Sequence, residues 1–411
     1  LTLTKRIDIL DSSPIPQNSA HSTKLTTNQR IRYFIEDYWD IFFGVISGVL
    51  AYKLHIEGSY ALSAFASAMA IIFFSITVSE IAEILADRLK EPLGSFVLTF
   101  SAVVVEILLL FMVLLERSDG LSSMAADTVK GGIISAVIVD MNLLLGLSVL
   151  VGGLAYKMQE HNEETSGSYI TILLVTACVL LVPSILALTN HNAKVLNKAS
   201  VLVAILLFAY YIVILIFQTK THINFFKATA RSRLLRFKKR MQDRENGEEE
   251  EEEIDHYIFE RMPTAVNFLF MTGFILIIGL LAEFLAMDGL KTSVNLGISP
   301  AVAGLIIAFI AVAPEFFTAI RAARNDEPQR VINIAMGAST VTILVTVPML
   351  LLLAKLYNIE LPLNFNTLEI GALIFTVLLA WKTTQNGITD YLEGISHLVF
   401  FFAYMLLAAY F

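Results

Sequence analysis

Six carboxylates, Glu80, Glu83, Glu106, Asp140, Glu283 and Glu315, stand inside apolar stretches of this 411-residue chain. A charged side chain in hydrocarbon costs about 2.5–3.5 kcal/mol on insertion scales. Six left alone would cost on the order of 15–20 kcal/mol, more than a typical folding stability. They must be protonated, bridged by a cation, or turned to water. No lysine or arginine falls deep in an apolar run to neutralise them, which argues against structural ion pairs and for a mobile partner. Carboxylates grouped with hydroxyl and carbonyl oxygens suit a hard cation such as Ca2+, which takes about 6–8 oxygen ligands. Withdrawn from water and set side by side, they also hold protons. One site can therefore carry the metal or the protons but not both, which is the chemistry of antiport.

The elements that must position these groups are membrane helices. Hydrophobic residues make up 56% of the chain and charged residues 16%, and the mean hydropathy is +0.69, far from the balance of a soluble domain. A span needs about 20 apolar residues, and its backbone groups must bond within it. The hydropathy pattern predicts an all-α integral membrane protein with about 11 spans, near 39–54, 60–87, 93–115, 130–157, 168–189, 199–218, 264–286, 299–322, 330–355, 366–382 and 390–411. Residues 1–38, with Pro14, Pro16 and many Ser, Thr and Asn, read as a mobile tail.

The spans divide into related halves. "AEILA" at 82–86 is echoed by "AEFLA" at 282–286, and "FSAVVVE" ending at Glu106 aligns without a gap to "FIAVAPE" ending at Glu315. Two matches in the same order, each centred on a glutamate, indicate duplication. An odd number of spans per half inverts one half against the other. The expected organisation is one extra helix (39–54), a five-helix repeat (60–218), a charged linker (219–263) and an inverted five-helix repeat (264–411). Binding sites in that architecture lie at the repeat interface near the bilayer midplane. Glu106 falls about 20 Å into its span, near mid-depth. Pro314 is expected to loosen the helix beside Glu315 and free carbonyl oxygens for an ion. Glu83 and Glu283, on the echoed segments, are expected to line access paths or complete the site, and Glu80 shares a helix face with Glu83. Asp140 and Asn142 in "SAVIVDMNLLLG", with Ser339 and Thr342 in "MGASTVTIL", offer further oxygens from the fourth and ninth spans.

A tail-in orientation places 22 of the 29 lysines and arginines on the cytoplasmic side, as the positive-inside rule favours. The linker runs from a basic segment into Glu248–Glu253, six consecutive glutamates, and reads as a solvated segment whose basic part touches anionic lipid. The alternative is cation sensing by the acidic run. The seven histidines show no metal-site spacing, and the lone Cys178 cannot form an intrachain disulfide.

At these residues the chain resembles the cation/proton exchangers of the Ca2+/cation antiporter (CaCA) superfamily, and most closely the ChaA type. The resemblance rests on "ADTVKGGIISAVIVDMNLLLGLSVLVGGL" and "APEFFTAIRAARNDEPQRVINIAMGASTVTILVTVP" and covers roughly residues 60–411. It implies an extra first helix, two inverted five-helix repeats and an acidic linker. It also implies one cation-site glutamate per repeat, here Glu106 and Glu315, with Asn142 or Asp140 at the polar position of the fourth span. Many relatives place a Gly-Asn pair before that glutamate. This chain has Ala102–Val103 and Ala311–Val312 instead, so two side-chain carbonyl ligands are missing. The expectation is a secondary transporter and not an enzyme, exchanging Ca2+ for protons. Its partners are the lipid bilayer, inorganic cations and protons, with no cofactor and no nucleic acid. The membrane is a plasma or inner membrane or that of a vacuole-like organelle. Exchange of Na+ or K+ for protons is the alternative, followed by Na+/Ca2+ exchange or a cation channel. No metal cluster or activated serine of a hydrolase lies in the spans.

Overall fold

Backbone amides in hydrocarbon find no water to bond, so each apolar run closes its hydrogen bonds on itself as a helix. The computed structural model describes residues 27–89, 93–116, 121–189, 192–222 and 257–410. The start of the expected tail and the Glu248–Glu253 run lie outside these described residues. Among the described residues eleven long helices are α1 (Thr27–Ile56), α2 (Tyr60–Leu89), α3 (Leu93–Leu115), α4 (Ser122–Tyr156), α5 (Glu163–Ala187), α6 (Ala193–Thr221), α7 (Thr264–Leu296), α8 (Pro300–Arg324), α9 (Pro328–Leu356), α10 (Thr367–Thr384) and α11 (Tyr391–Ala408). Among the described residues ten are long and apolar enough to cross a membrane. In the eleventh, α3, the apolar stretch covers Thr99–Leu115.

Local chemistry sets several ends. Asn162, Asn192 and Ser299 cap α5, α6 and α8 by accepting backbone N–H bonds. Asn366 with Glu369, and Asp390 with Glu393, form reciprocal capping boxes at the starts of α10 and α11. Gly297, in the left-handed region at φ 68°, ends α7. Here the expected boundary was short: α7 runs ten residues past 286 and buries Asp288.

Hydrogen bonds between connecting segments show which helix ends share a face. On the linker face, Arg88 at the end of α2 donates to the carbonyls of Met262 (2.5 Å), Phe259 (3.3 Å) and Glu260, where the linker returns. Tyr156 at the end of α4 donates to Arg324 O of α8 (2.7 Å), and Gln159 donates to Ala323 O and to Asp326 Oδ1. Met158–Glu160 pairs antiparallel with Ile388–Asp390, a two-stranded ribbon joining the α4–α5 and α10–α11 connections. On the opposite face, Ser184 of α5 and Ser200 of α6 clamp Leu363 and Phe365 before α10, and Ser299 donates to Ala408 O at the end of α11. Helix ends thus alternate between two faces. The halves α2–α6 and α7–α11 run in opposite senses, with α1 outside both. The described residues from Asp40 onward form one compact unit.

The halves meet where α4 crosses α8. A Cβ added to Gly304 would fall 2.7 Å from Gly131 C and Thr128 O, and one added to Gly131 would meet Ala301 Cα at 3.2 Å. Only glycine permits such an approach, and in lipid close backbone packing is what holds helices together.

Candidate functional site

Glu106 on α3 hydrogen-bonds the middle helix of the other half, α9, and Glu315 on α8 interacts electrostatically with Asp140 of the other middle helix, α4. Glu106 is 8% exposed. Thr342 Oγ1 lies 2.9 and 3.1 Å from its two carboxylate oxygens, and Thr346 donates to Oε2 at 2.6 Å, both from α9. Asp140 on α4 is 1% exposed and accepts from Ser339 of α9 at 3.2 Å. Its charge acts on Glu315 and on Glu106, and those two act on one another. Two oxygens in this group, Asp140 Oδ1 and Glu315 Oε2, are buried with no hydrogen-bond partner.

Both helices that supply the middle of the site widen there. α4 takes a π-helical turn over Val139–Leu144, and α9 takes one over Thr342–Thr346. A π turn inserts one residue into the helical ladder and re-aims the side chains around it. Asp140 sits in the first, and Thr342 and Thr346 in the second. The expected irregularity at Pro314 is not where the backbone departs from an α-helix, for α8 runs through that proline from Pro300 to Arg324.

The fourth-span alternatives separate cleanly. Asp140 joins the carboxylates, whereas Asn142 points away from them: its Nδ2 donates to Thr376 Oγ1 of α10 (2.8 Å), and its Oδ1 meets His397 Nδ1 of α11 (3.0 Å). The other ring nitrogen of His397 meets Thr383 Oγ1 at 3.0 Å. Asn142 thus braces the π turn against α10 and α11, and its amide oxygen is already engaged.

The remaining acids stand apart. Glu83, on the linker face, pairs with Arg330 at 3.3 Å, and Glu80 accepts from Tyr257 at 2.8 Å. Glu283 is exposed on α7 and is not brought to the three buried carboxylates. Among the described residues no group of three His, Cys, Asp or Glu side chains is gathered as a ready metal cage, so the carboxylates share a region without converging on one point.

Several partners escape the sequence pattern. Thr346 follows Thr342 by four residues, one turn along the same face, and that spacing could have revealed it. His397 offers only its presence in an apolar helix. Asp288 lay beyond the expected end of its span, yet it is fully buried and meets His55 Nδ1 at 2.8 Å.

The sequence compared with known proteins tells the same story as the geometry. The sodium/calcium exchanger protein family matches residues 59–220 and 266–410, one block per half. The sodium-potassium/proton antiporter ChaA of Escherichia coli is 28% identical over 344 residues, 82% of this chain and 86% of the relative. A Ca2+/H+ antiporter of Aphanothece halophytica is 27% identical over 366 residues, 86% of this chain and 92% of the relative. Among solved structures, native YfkE superposes with a TM-score of 0.70 at 18% identity, covering 90% of this chain and 100% of its own. The H+/Ca2+ exchanger CAX superposes at 0.59 and 12% identity, covering 90% of each. Two matched blocks spanning most of both inverted halves are decisive, and the chain belongs to the sodium/calcium exchanger protein family, as a transporter and not an enzyme.

Proposed function

We propose that the chain exchanges Ca2+ for protons by alternating access, with cation and protons competing for Glu106, Glu315 and Asp140. The observation that carries this reading is the pair of buried, unpartnered oxygens, Asp140 Oδ1 and Glu315 Oε2, at the junction of the two halves. A buried carboxylate oxygen without a donor is destabilising unless a proton or a metal takes it. Ser339, Thr342 and Thr346 add hydroxyl oxygens, and hard-cation coordination of about six ligands is completed by backbone carbonyls or water. Charge counting then links the two cargoes. Three carboxylates are neutral with one Ca2+ and one proton, or with three protons, so exchange between the neutral states moves two protons per Ca2+. Incomplete convergence of the carboxylates fits a site that closes around its cargo as the halves rock. The linker face, rich in lysine and arginine, is the cytoplasmic one on the positive-inside rule. On this reading we infer a cytoplasmic N-terminus, the membrane being a plasma or inner membrane or that of a vacuole-like organelle.

One observation favours a second reading, Na+ or K+ in exchange for protons. Asn142 has its amide oxygen held by His397, so the site offers no amide ligand from that residue. A relative of similar identity is a sodium-potassium/proton antiporter. The test is internal pH in acid-loaded proteoliposomes given Ca2+, Na+ or K+ outside. Alkalinisation by Ca2+ supports the first reading, and alkalinisation by Na+ or K+ alone the second. No proton movement with any cation defeats both. Glu106→Gln and Glu315→Gln each abolish the signal with folding intact, and normal exchange by either refutes this assignment of the site.

A further inference from the structure

A second group of acids lies between α1, α2 and the returning linker, and the exchange site does not use it. Asp40 on α1 is 1% exposed. One of its oxygens accepts from the Thr77 hydroxyl of α2, and the other, Oδ1, is buried with no hydrogen-bond partner. Thr77 is three residues before Glu80, so the two stand on one face of α2. Glu80 interacts electrostatically with Asp40, with Glu83 one turn on, and with Arg321 of α8; neither Glu106, Asp140 nor Glu315 is among its partners. Glu83 is itself paired with Arg330. The remaining neighbour is Tyr257, whose hydroxyl donates to Glu80 Oε2 at 2.8 Å, immediately before the single helical turn Ile258–Arg261 whose carbonyls Arg88 holds.

We propose that Asp40, Thr77 and Glu80 form a second binding site for a hard cation, and that its occupancy is read by the linker through Tyr257. Two carboxylates, a hydroxyl and a phenol, one carboxylate oxygen being buried without a hydrogen-bond partner, are the donor types that Ca2+ or Na+ selects. A cation between Asp40 and Glu80 removes their mutual repulsion and draws α1 toward α2. Because Tyr257 holds the other oxygen of Glu80, any movement of that carboxylate shifts the point where the linker re-enters the membrane helices. α1, which stands outside both halves, thereby gains a role: it completes a sensor on the linker face without taking part in the exchange site.

The proposal uses the exchange reading only to silence the first site. Ca2+ is titrated calorimetrically into the purified full chain carrying Glu106→Gln and Glu315→Gln. One Ca2+ equivalent is expected to remain. Adding Asp40→Asn or Glu80→Gln should weaken it by about tenfold or more, as loss of one of two carboxylate ligands predicts. Tyr257→Phe should keep the stoichiometry and change affinity by about two- to fivefold. Asp40→Asn is buried; if it fails to fold, the half-buried Glu80→Gln decides. No residual Ca2+ binding, or residual binding indifferent to both Glu80→Gln and Asp40→Asn, overturns the proposal. If the double variant binds Ca2+ with full wild-type stoichiometry, the exchange-site reading fails instead, and loss of one equivalent on Asp40→Asn alone still supports the second site.

Discussion

Gly304→Ala places one methyl group at the crossing of α4 and α8, where backbone meets backbone. The new Cβ would fall 2.7 Å from Gly131 C and 2.7 Å from Thr128 O, and closer still to Gly132 N, where ordinary contact begins at 3.4 Å. All three are backbone atoms, so no rotamer change relieves the overlap, and the closest of them, Gly132 N, requires the helices to part by roughly 1 Å. Overpacking of this kind costs about 1–3 kcal/mol, and a clash with rigid backbone belongs at the upper end. The crossing lies eleven residues before Glu315 on α8, about 16 Å along the axis, so a tilt there carries Glu315 away from Asp140. Misplacement of reacting groups by about 1 Å can cost on the order of 100-fold in rate. We expect cation-driven proton flux in proteoliposomes to fall between about 10- and 100-fold and the unfolding temperature in detergent to drop. Two companions fix the interpretation. Gly132→Ala meets the movable side-chain carbon Leu110 Cδ2 at 2.7 Å and should be milder; Gly371→Ala meets nothing within 4 Å and should gain about 0.5–1 kcal/mol of helix propensity with flux unchanged. Wild-type flux and stability in Gly304→Ala would refute the argument that this contact sets the site.

Three further outcomes follow from particular contacts. Thr342→Val with Thr346→Val removes the hydroxyls that reach Glu106. Hydrogen bonds to charged groups are worth about 1.5–3 kcal/mol each, so apparent cation affinity should change by more than tenfold in a flux titration, and an unchanged value would remove both threonines from the site. Asp140→Asn and Asn142→Leu should behave oppositely: the first loses flux but stays folded, while the second strands Thr376 and His397. Asn142→Leu should therefore destabilise by about 2–4 kcal/mol yet keep flux per folded molecule. His161, in the linker-face ribbon, is pushed down to about 4 by burial. The folded state then binds fewer protons than the unfolded one, so this stability is present above about pH 6.5 and is lost as pH falls toward 4. It amounts to about 2 kcal/mol between pH 7.5 and 5. Thermal unfolding should show that loss shrinking in His161→Asn, and equal losses in both proteins would contradict it.

The spans were readable because each is a long apolar run, and the inversion was readable because Glu106 and Glu315 sit in matching segments offset by five helices, an odd number. What hydropathy could not supply was the pairing of individual side chains. Asp140 and Asn142 are two residues apart with equal oxygen-bearing promise in the sequence, and only the π turn within α4 sends one to the carboxylates and the other to His397. The ribbon joining Met158–Glu160 to Ile388–Asp390 links segments more than two hundred residues apart, beyond any local pattern. Asp288 lies past 286, where the expected span ends, whereas α7 continues to Leu296 and buries it.

The two π turns carry the argument further than either glutamate alone. α4 and α9 occupy the third place in their respective halves, and both widen in mid-helix, over Val139–Leu144 and Thr342–Thr346, although the residues there share almost no identity. Neither stretch contains proline or glycine; Pro348, just past the second, withholds an N–H from the carbonyl of Leu344 and loosens that turn alone, so no sequence cause is common to both. A costly backbone feature repeated at equivalent positions without a common sequence is better explained by a shared task than by local propensity. Thr342 and Thr346 hydrogen-bond Glu106, and Asp140 interacts electrostatically with Glu315; the shared task we propose is to offer these oxygens to the cation beside the glutamate of the opposite half. A π turn can be absorbed or shifted along a helix with little net loss of hydrogen bonds, so it offers the two halves a way to change the aim of these oxygens as they rock. Substituting residues in one turn should therefore impair cation release on both faces of the membrane, since each glutamate depends on the helix of the other half. An effect confined to one face would show that the turns serve packing alone.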